Sequence, residues 1–382
     1  MGTITDDYVQ KHPTSLEYYG EAREIFPAGV THDTRYVTPF PLYITHASGP
    51  LKWDVDGNQL IDYMMGYGAL ILGHSHPKVT EAVRRKLSQG THMGSATPIE
   101  IRWAEIVKEL IPSAERVRFT ASGTETTLLA FRLSRAYTGK RKIVKFREHF
   151  HGWHDYVSPE SGINTQIGIP KETLSSVIVA EPIIEEIEDL LRRDTDIAAV
   201  IIEPTGGHWG QFPLPNPKFL RELRRITNDN NVIMIMDETI TGFRMSKGGA
   251  QERFDVLPDL TTMGKIVAGG LPGGCIAGKA EIMDLISAED TSSRIAHPGT
   301  FNGNPISAAA GVACLEELAH NSVNEQADSM AIHLKNGLKN ALSRKEVIGH
   351  VHGIASVVHV VLGVECEPIV IGFDLLLTST AN

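Results

Sequence analysis

Two residues near the middle of this 382-residue chain could do chemistry together, Asp237 and Lys265. Asp237 closes the apolar run 232–236 and is followed by Glu238. A short apolar run that ends on a carboxylate is how a buried parallel strand reads when it delivers an acid at its C-terminal end. A second run, 259–263, leads to Gly264, Lys265 and a glycine-rich segment. The pair is therefore a carboxylate and an amine on strand ends, the edge where open α/β sheets bind ligands. Such an amine can form a Schiff base with an aldehyde. A carboxylate beside a pyridine nitrogen keeps that nitrogen protonated, so the ring accepts electrons. Pyridoxal phosphate (PLP) chemistry needs both groups. An isolated Asp and Lys would read the same as a solvated strand end and a surface lysine, so the elements around them carry the weight.

Those elements start with the short strand 117–120, which runs into Ser122-Gly123-Thr124 and a helix carrying Leu128, Leu129, Phe131 and Leu133. A helix N-terminus offers unpaired N–H groups, and small residues let a phosphate come close. Ser122 with Glu125 also reads as a capping box, and the two roles are compatible. Strand 142–146 leads to HFHGWHD. Its histidines, His149, His151 and His154, have no i, i+4 pair and no companion cysteine, so the spacing does not make a zinc site. Phe150 is the aromatic there that can lie on a heterocyclic ring. Strand 196–202 ends in Glu203-Pro204, and Thr300 sits in a Gly/Asn-rich turn before an alanine-rich helix. A threonine hydroxyl in that turn is as readily a turn residue as a phosphate donor.

From 117 onward strands alternate with helices, which means an α/β fold with a mostly parallel sheet covered by helices. Ahead of it, 15–26 reads as a helix, 42–45 and 51–54 as short strands, and Asp56-Gly57 as a hairpin turn continued by 60–64. Arg35 ends the loop segment GVTHDTR, and its planar fork suits a carboxylate. Tyr67 lies between Gly66 and Gly68, where the backbone can bend. His74 and His76 lack further ligands at metal spacing and read as structural. Helices are expected at 77–87, 98–110, 217–228, 280–286 and 322–344. Residues 158–175 form a Gly/Pro-bearing loop, a candidate cover over a pocket.

Composition narrows the function classes. Charged residues are 21% and hydrophobic residues 42%, ordinary for a globular chain. A formal charge of −10 argues against a general nucleic-acid binder. Three scattered cysteines, Cys275, Cys314 and Cys366, make no metal pattern or disulfide framework. No stretch has the length of a membrane span or the pattern of a signal peptide, so a cytoplasmic protein with no membrane partner is expected.

The motifs SGTETT, FHGWHD, IIEPTGG, MDETITGFR, DLTTMGKIVAGGLP and GTFNGNP occur in the order seen in class III PLP-dependent aminotransferases. From about 15 to 340 the chain resembles that fold-type I family, near its glutamate-1-semialdehyde aminomutase and D-phenylglycine aminotransferase branch. The resemblance implies a large domain at 66–315 with a mostly parallel, seven-stranded type of sheet. It also implies a small α+β domain built from 1–65 and 316–382. Lys265 matches the Schiff-base lysine that also shuttles the substrate Cα proton, and Asp237 the partner of the pyridine nitrogen. Ser122, Gly123 and Thr124 match the phosphate cradle, and Phe150 a ring-stacking aromatic. Glu203 matches a glutamate near the cofactor's phenolic oxygen. Thr239 stands where the family usually has valine or isoleucine against the other ring face. Thr300 matches the threonine that reaches the cofactor phosphate of the neighbouring subunit, implying a homodimer. Arg35 and Tyr67 match positions for the substrate carboxylate and an aromatic wall.

The expected activity is a PLP-dependent aminotransferase that moves an amino group from an amino donor to a 2-oxo acid by a ping-pong mechanism. GTETTLLAFRLSRAYTG, FHGWHD and GTFNGNP favour it over the alternative, an intramolecular glutamate-1-semialdehyde 2,1-aminomutase. A non-catalytic PLP-binding relative is the further alternative. The family continues well past the point where this chain stops, so a truncated C-terminal part with an uncovered strand edge is expected. No G-x-G-x-x-G follows a strand, which disfavours a dinucleotide-dependent dehydrogenase.

Overall fold

The computed structural model describes residues 2–158, 166–287 and 294–363. The middle of the expected cover loop and the closing segment 364–382 lie outside them, and so does Cys366. The chain divides into two compact units, Met1–Thr80 and Glu81–Asn382.

In the first unit, helices Ile4–Lys11 and Pro13–Ile25 precede a three-stranded antiparallel sheet of β1 (Ile44–Ser48), β2 (Leu51–Asp54) and β3 (Gln59–Ile61). The Asp56-Gly57 turn joins β2 to β3, with Trp53 opposite Gln59. Buried Asp54 fastens that turn by accepting from the Asp56 and Asn58 amides at 3.1 and 2.7 Å. Asp56 accepts from the Thr14 and Ser15 amides at 2.8 and 3.1 Å, satisfying two otherwise unpaired donors of the second helix. His74 Nε2 meets Asp62 Oδ2 at 2.7 Å, the structural role its sequence context implied. Helix Pro77–Leu87 follows.

The second unit is built on a seven-stranded sheet. Its strands are β4 (Arg116–Thr120), β5 (Lys142–Phe146), β6 (Val177–Ala180), β7 (Ile197–Ile202), β9 (Ile233–Asp237), β10 (Leu260–Gly264) and β11 (Gly274–Gly278), with a two-residue β8 (Phe212–Pro213) outside it. The order across the sheet is β4-β11-β10-β9-β7-β5-β6. All pairings from β10 to β6 are parallel, and β11 runs antiparallel to both its neighbours. Every residue of β7 is buried, because helices cover both faces. Alternation divides the strand: Val200 and Ile202 face one core with Leu223 and Ile226, Ala199 and Ile201 the other with Leu129 and Phe131. Each fully buried Ile or Val there contributes roughly 1.5–3 kcal/mol. Farther on, helices Pro305–His320 and Val323–Arg344 lead to a two-stranded sheet of β12 (Gly349–His352) and β13 (His359–Leu362).

Two strands were invisible to periodicity. β6 is only four residues long. β11 is hidden by its glycines, which close approach demands. A Cβ on Gly274 would stand 2.5 Å from the Ser122 carbonyl, and one on Gly278 2.4 Å from that of Asp259. The expected helix 280–286 is one short turn, Ala280–Met283, followed by a 3₁₀ turn, Asp284–Ile286.

Candidate active site

Asp237 is the last residue of β9 and only 4% exposed. Its Oδ1 accepts from the Thr239 amide at 3.1 Å, the Thr239 hydroxyl at 2.6 Å and the Thr262 hydroxyl at 3.1 Å. Its Oδ2 meets His151 Nδ1 at 2.7 Å. Burial pushes this carboxyl up, but the His151 bond and the Thr239 donors outweigh it and hold Asp237 below the usual aspartate value. Burial holds His151 below the ordinary imidazole value, so a neutral ring donates from Nδ1. His151 is thus the partner of Asp237, a role the sequence did not reveal. The two are 86 residues apart, and no local pattern links them.

Lys265 follows directly on β10, the parallel neighbour of β9, three residues beyond the Thr262–Asp237 pair. Its backbone is left-handed, with φ of 53°. Burial lowers the ammonium's pKa, while the charges of Asp237 and Glu203 oppose that and Arg244 adds to it; the net direction is down. That direction favours the neutral amine that both nucleophilic attack and proton abstraction require.

Glu203 stands just past the end of β7, 6% exposed. Three backbone amides converge on it: Phe150 at 2.6 Å, Trp209 at 2.8 Å and His208 at 3.3 Å. His208 and Trp209 adopt φ of 48° and 51°. No local pattern marks this turn as the holder of an acid. Burial is the leading cause that raises Glu203 to about 8, and the nearby Asp237 charge adds to it despite the three amides. The Glu203 amide in turn donates to His149 Nδ1 at 3.0 Å. Residues 149–151 therefore reach both acids: the Phe150 amide donates to the Glu203 carboxylate, His149 accepts from the Glu203 backbone amide, and His151 holds Asp237. The Phe150 ring is 41% exposed at this point.

The helix Gly123–Thr138 begins beside the pair. Ser122 Oγ accepts from the Glu125 amide at 3.3 Å, so Ser122 is the N-cap. The expected capping box closes on one side only, because Glu125 Oε2 reaches past Ser122 to the Ala121 amide at 2.8 Å. A Cβ on Gly123 or on Gly264 would lie 3.2 Å from the Thr239 methyl. One on Gly152, where φ is 107°, would strike Thr124 Oγ1 at 2.6 Å. Residues 122–124, Thr239, Gly264 and the 149–152 loop are thus drawn together around Asp237 and Lys265.

Other expected residues lie elsewhere. Thr300 is exposed, and its carbonyl accepts from His92 Nε2 at 2.5 Å. Arg35 and Tyr67 belong to the first unit. There the Thr34 hydroxyl donates to the Tyr67 oxygen at 2.9 Å, His32 stacks on the Tyr67 ring at 5.4 Å, and Arg35 Nη1 donates to Thr31 Oγ1 at 2.8 Å. Tyr67 has φ of 56° between its two glycines.

The assembled groups fit PLP. A buried, ionised aspartate suits a pyridinium nitrogen. A desolvated amine suits an aldehyde. The first amides of the Gly123–Thr138 helix lack intrahelical acceptors and suit a phosphate. The Cβ atoms that Gly123 and Gly264 lack would press on the Thr239 methyl.

Comparison with known proteins agrees. The class-III aminotransferase family matches residues 33–368. A glutamate-1-semialdehyde 2,1-aminomutase of Sulfolobus acidocaldarius is 42% identical over 363 residues, covering 92% of this chain and 85% of that protein. An omega-transaminase from Sphaerobacter thermophilus superposes with a TM-score of 0.86 at 35% identity, over 93% of this chain and 84% of its own. A transaminase with PLP bound gives 0.85 at 30% identity, over 91% and 84%. Among the described residues no helix is long and apolar enough to cross a membrane. The chain belongs to the class-III aminotransferases, fold-type I enzymes that depend on PLP.

Proposed function

We propose that this chain is a glutamate-1-semialdehyde 2,1-aminomutase, moving an amino group within one substrate. One observation carries the reading: curated relatives that bear this name are 39% to 42% identical to the chain and span 91% or more of it. This reverses the order favoured by the motifs, which had put intermolecular transfer first. The assay uses purified chain loaded with PLP and given glutamate 1-semialdehyde with no amino acceptor. Formation of 5-aminolevulinate supports the proposal. Turnover only after a 2-oxo acid is added would replace it with the second reading.

That second reading is an aminotransferase acting between an amino donor and a 2-oxo acid. The likeness to the Sphaerobacter thermophilus omega-transaminase favours it. A non-catalytic PLP-binding relative would be distinguished by turnover: it would yield no product with or without a 2-oxo acid, even where the Lys265-dependent visible band is present.

The residue roles are common to both activities. Bound PLP supplies an electron sink for the pair left on the substrate carbon when its proton departs. Lys265 Nζ is the attachment point for the aldehyde and the base that takes and returns that proton. Asp237 stays ionised and keeps the pyridine nitrogen protonated. Glu203, raised to about 8, would meet the cofactor's phenolic oxygen as a hydrogen-bond donor. Phe150 and Thr239 bound the two ring faces. Ser122, Gly123 and Thr124 hold the phosphate, with Thr300 of a second copy completing it in a homodimer. Arg35 and Tyr67 bind the substrate carboxylate and wall the substrate side.

A further inference from the structure

Asp237 has nearly used up its acceptor capacity before any ligand arrives. A carboxylate offers about four lone-pair sites. Oδ1 takes three donors, the Thr239 amide, the Thr239 hydroxyl and the Thr262 hydroxyl, and Oδ2 takes His151. The shortest of these contacts is the Thr239 hydroxyl, at 2.6 Å. A proton placed between a carboxylate and a pyridine nitrogen can rest on either. Donors to the carboxylate stabilise its anionic form and leave the proton on nitrogen. Removing one makes the oxygen more basic and draws the proton toward it.

We propose that the Thr239 hydroxyl, backed by that of Thr262, positions the proton on the cofactor's pyridine nitrogen by keeping Asp237 a weak base. This rests on the assignment of Asp237 as the partner of that nitrogen. Thr239 is thereby more than a wall residue. Its methyl fills the gap between Gly123 and Gly264, and its hydroxyl acts through Asp237. Valine keeps the methyl and deletes the hydroxyl; serine keeps the hydroxyl. The other titratable groups near Asp237, namely His151, Lys265 and Glu203, are the same in all these variants.

The test is ¹⁵N NMR of the full-length holoenzyme loaded with PLP labelled at the pyridine nitrogen. Thr239→Val is expected to shift the signal downfield, toward the unprotonated ring, reporting a change in proton balance on the order of tenfold. Thr239→Ser is expected to match the parent. Thr262→Val, at the longer bond, should shift the signal in the same direction by less, and it keeps the test open if Thr239→Val does not fold. Asp237→Asn is the control. If Asp237→Asn moves the signal while both valine variants leave it at the parent position, the hydroxyls have no such role. If Asp237→Asn leaves it unmoved as well, the assignment of Asp237 fails and this proposal with it.

Discussion

Asp237 and Glu203 close neighbouring parallel strands, are almost equally buried, and take opposite protonation states. Each accepts several hydrogen bonds, so the number of donors does not separate them. The kind of donor and the neighbouring charge do. Asp237 is held by the His151 imidazole and by the hydroxyl and amide of Thr239, which together overcome desolvation. Glu203 is held by three backbone amides, yet burial and the charge already committed to Asp237 win. Two carboxylates within electrostatic reach do not both ionise cheaply in a low-dielectric pocket. The site thus presents a fixed anion and a fixed acid on one sheet edge, an arrangement that can hold a proton at one end of a ring and donate a hydrogen bond at the other.

The sharpest way to break the contrast is Asp237→Asn, which removes the anion and keeps the shape. We expect kcat to fall by about 10²–10³, as for other lost electrostatic groups. Next is His151→Phe, which leaves Oδ2 of Asp237 without its buried donor. Urea unfolding should show a loss of about 1.5–3 kcal/mol. Glu203→Gln sharpens the other half. Glu203 titrates at about 8 when folded, against an ordinary 4.5. Between those values the folded state binds the extra proton, so this group's contribution to stability declines as pH rises. Glutamine cannot titrate, so the variant should gain on the parent across that window in urea melts repeated at several pH values. The smallest effect is expected from Ser122→Ala, which loses one N-cap bond at a cost of about 1 kcal/mol. If that change altered the titration of either carboxylate, the helix cap would be part of the contrast and not merely adjacent to it.

Much of the site was legible because its residues sit where local patterns end. Asp237 and Glu203 close apolar runs, Lys265 follows one, and Ser122 caps a helix. The partners were not legible. His151, Thr262 and the amides of His208 and Trp209 act across distances in sequence that no periodicity spans. The histidines of HFHGWHD lack metal-ligand spacing, and the use of His151 as a donor to Asp237 shows only in the tertiary structure. The sheet was read through its buried central strands. Its glycine-rich strand, β11, escaped because glycine answers to neighbouring backbone and leaves no apolar signature. Thr239 matches a ring-face position by resemblance; its bond to Asp237 is not legible, because a sequence shows a methyl and a hydroxyl but not the direction of the hydroxyl.

The left-handed backbone of Lys265 sets chemistry against fitness for folding. A non-glycine residue in that conformation costs about 1–2 kcal/mol, and the desolvated amine adds to the burden. Lys265→Gly should therefore unfold at a higher temperature than Lys265→Ala, while both abolish the lysine-dependent absorption band. A library of this chain ranked only by heat resistance would drift toward losing the amine that the proposed chemistry needs. Any campaign to harden the protein has to select for the lysine's reactivity in the same round.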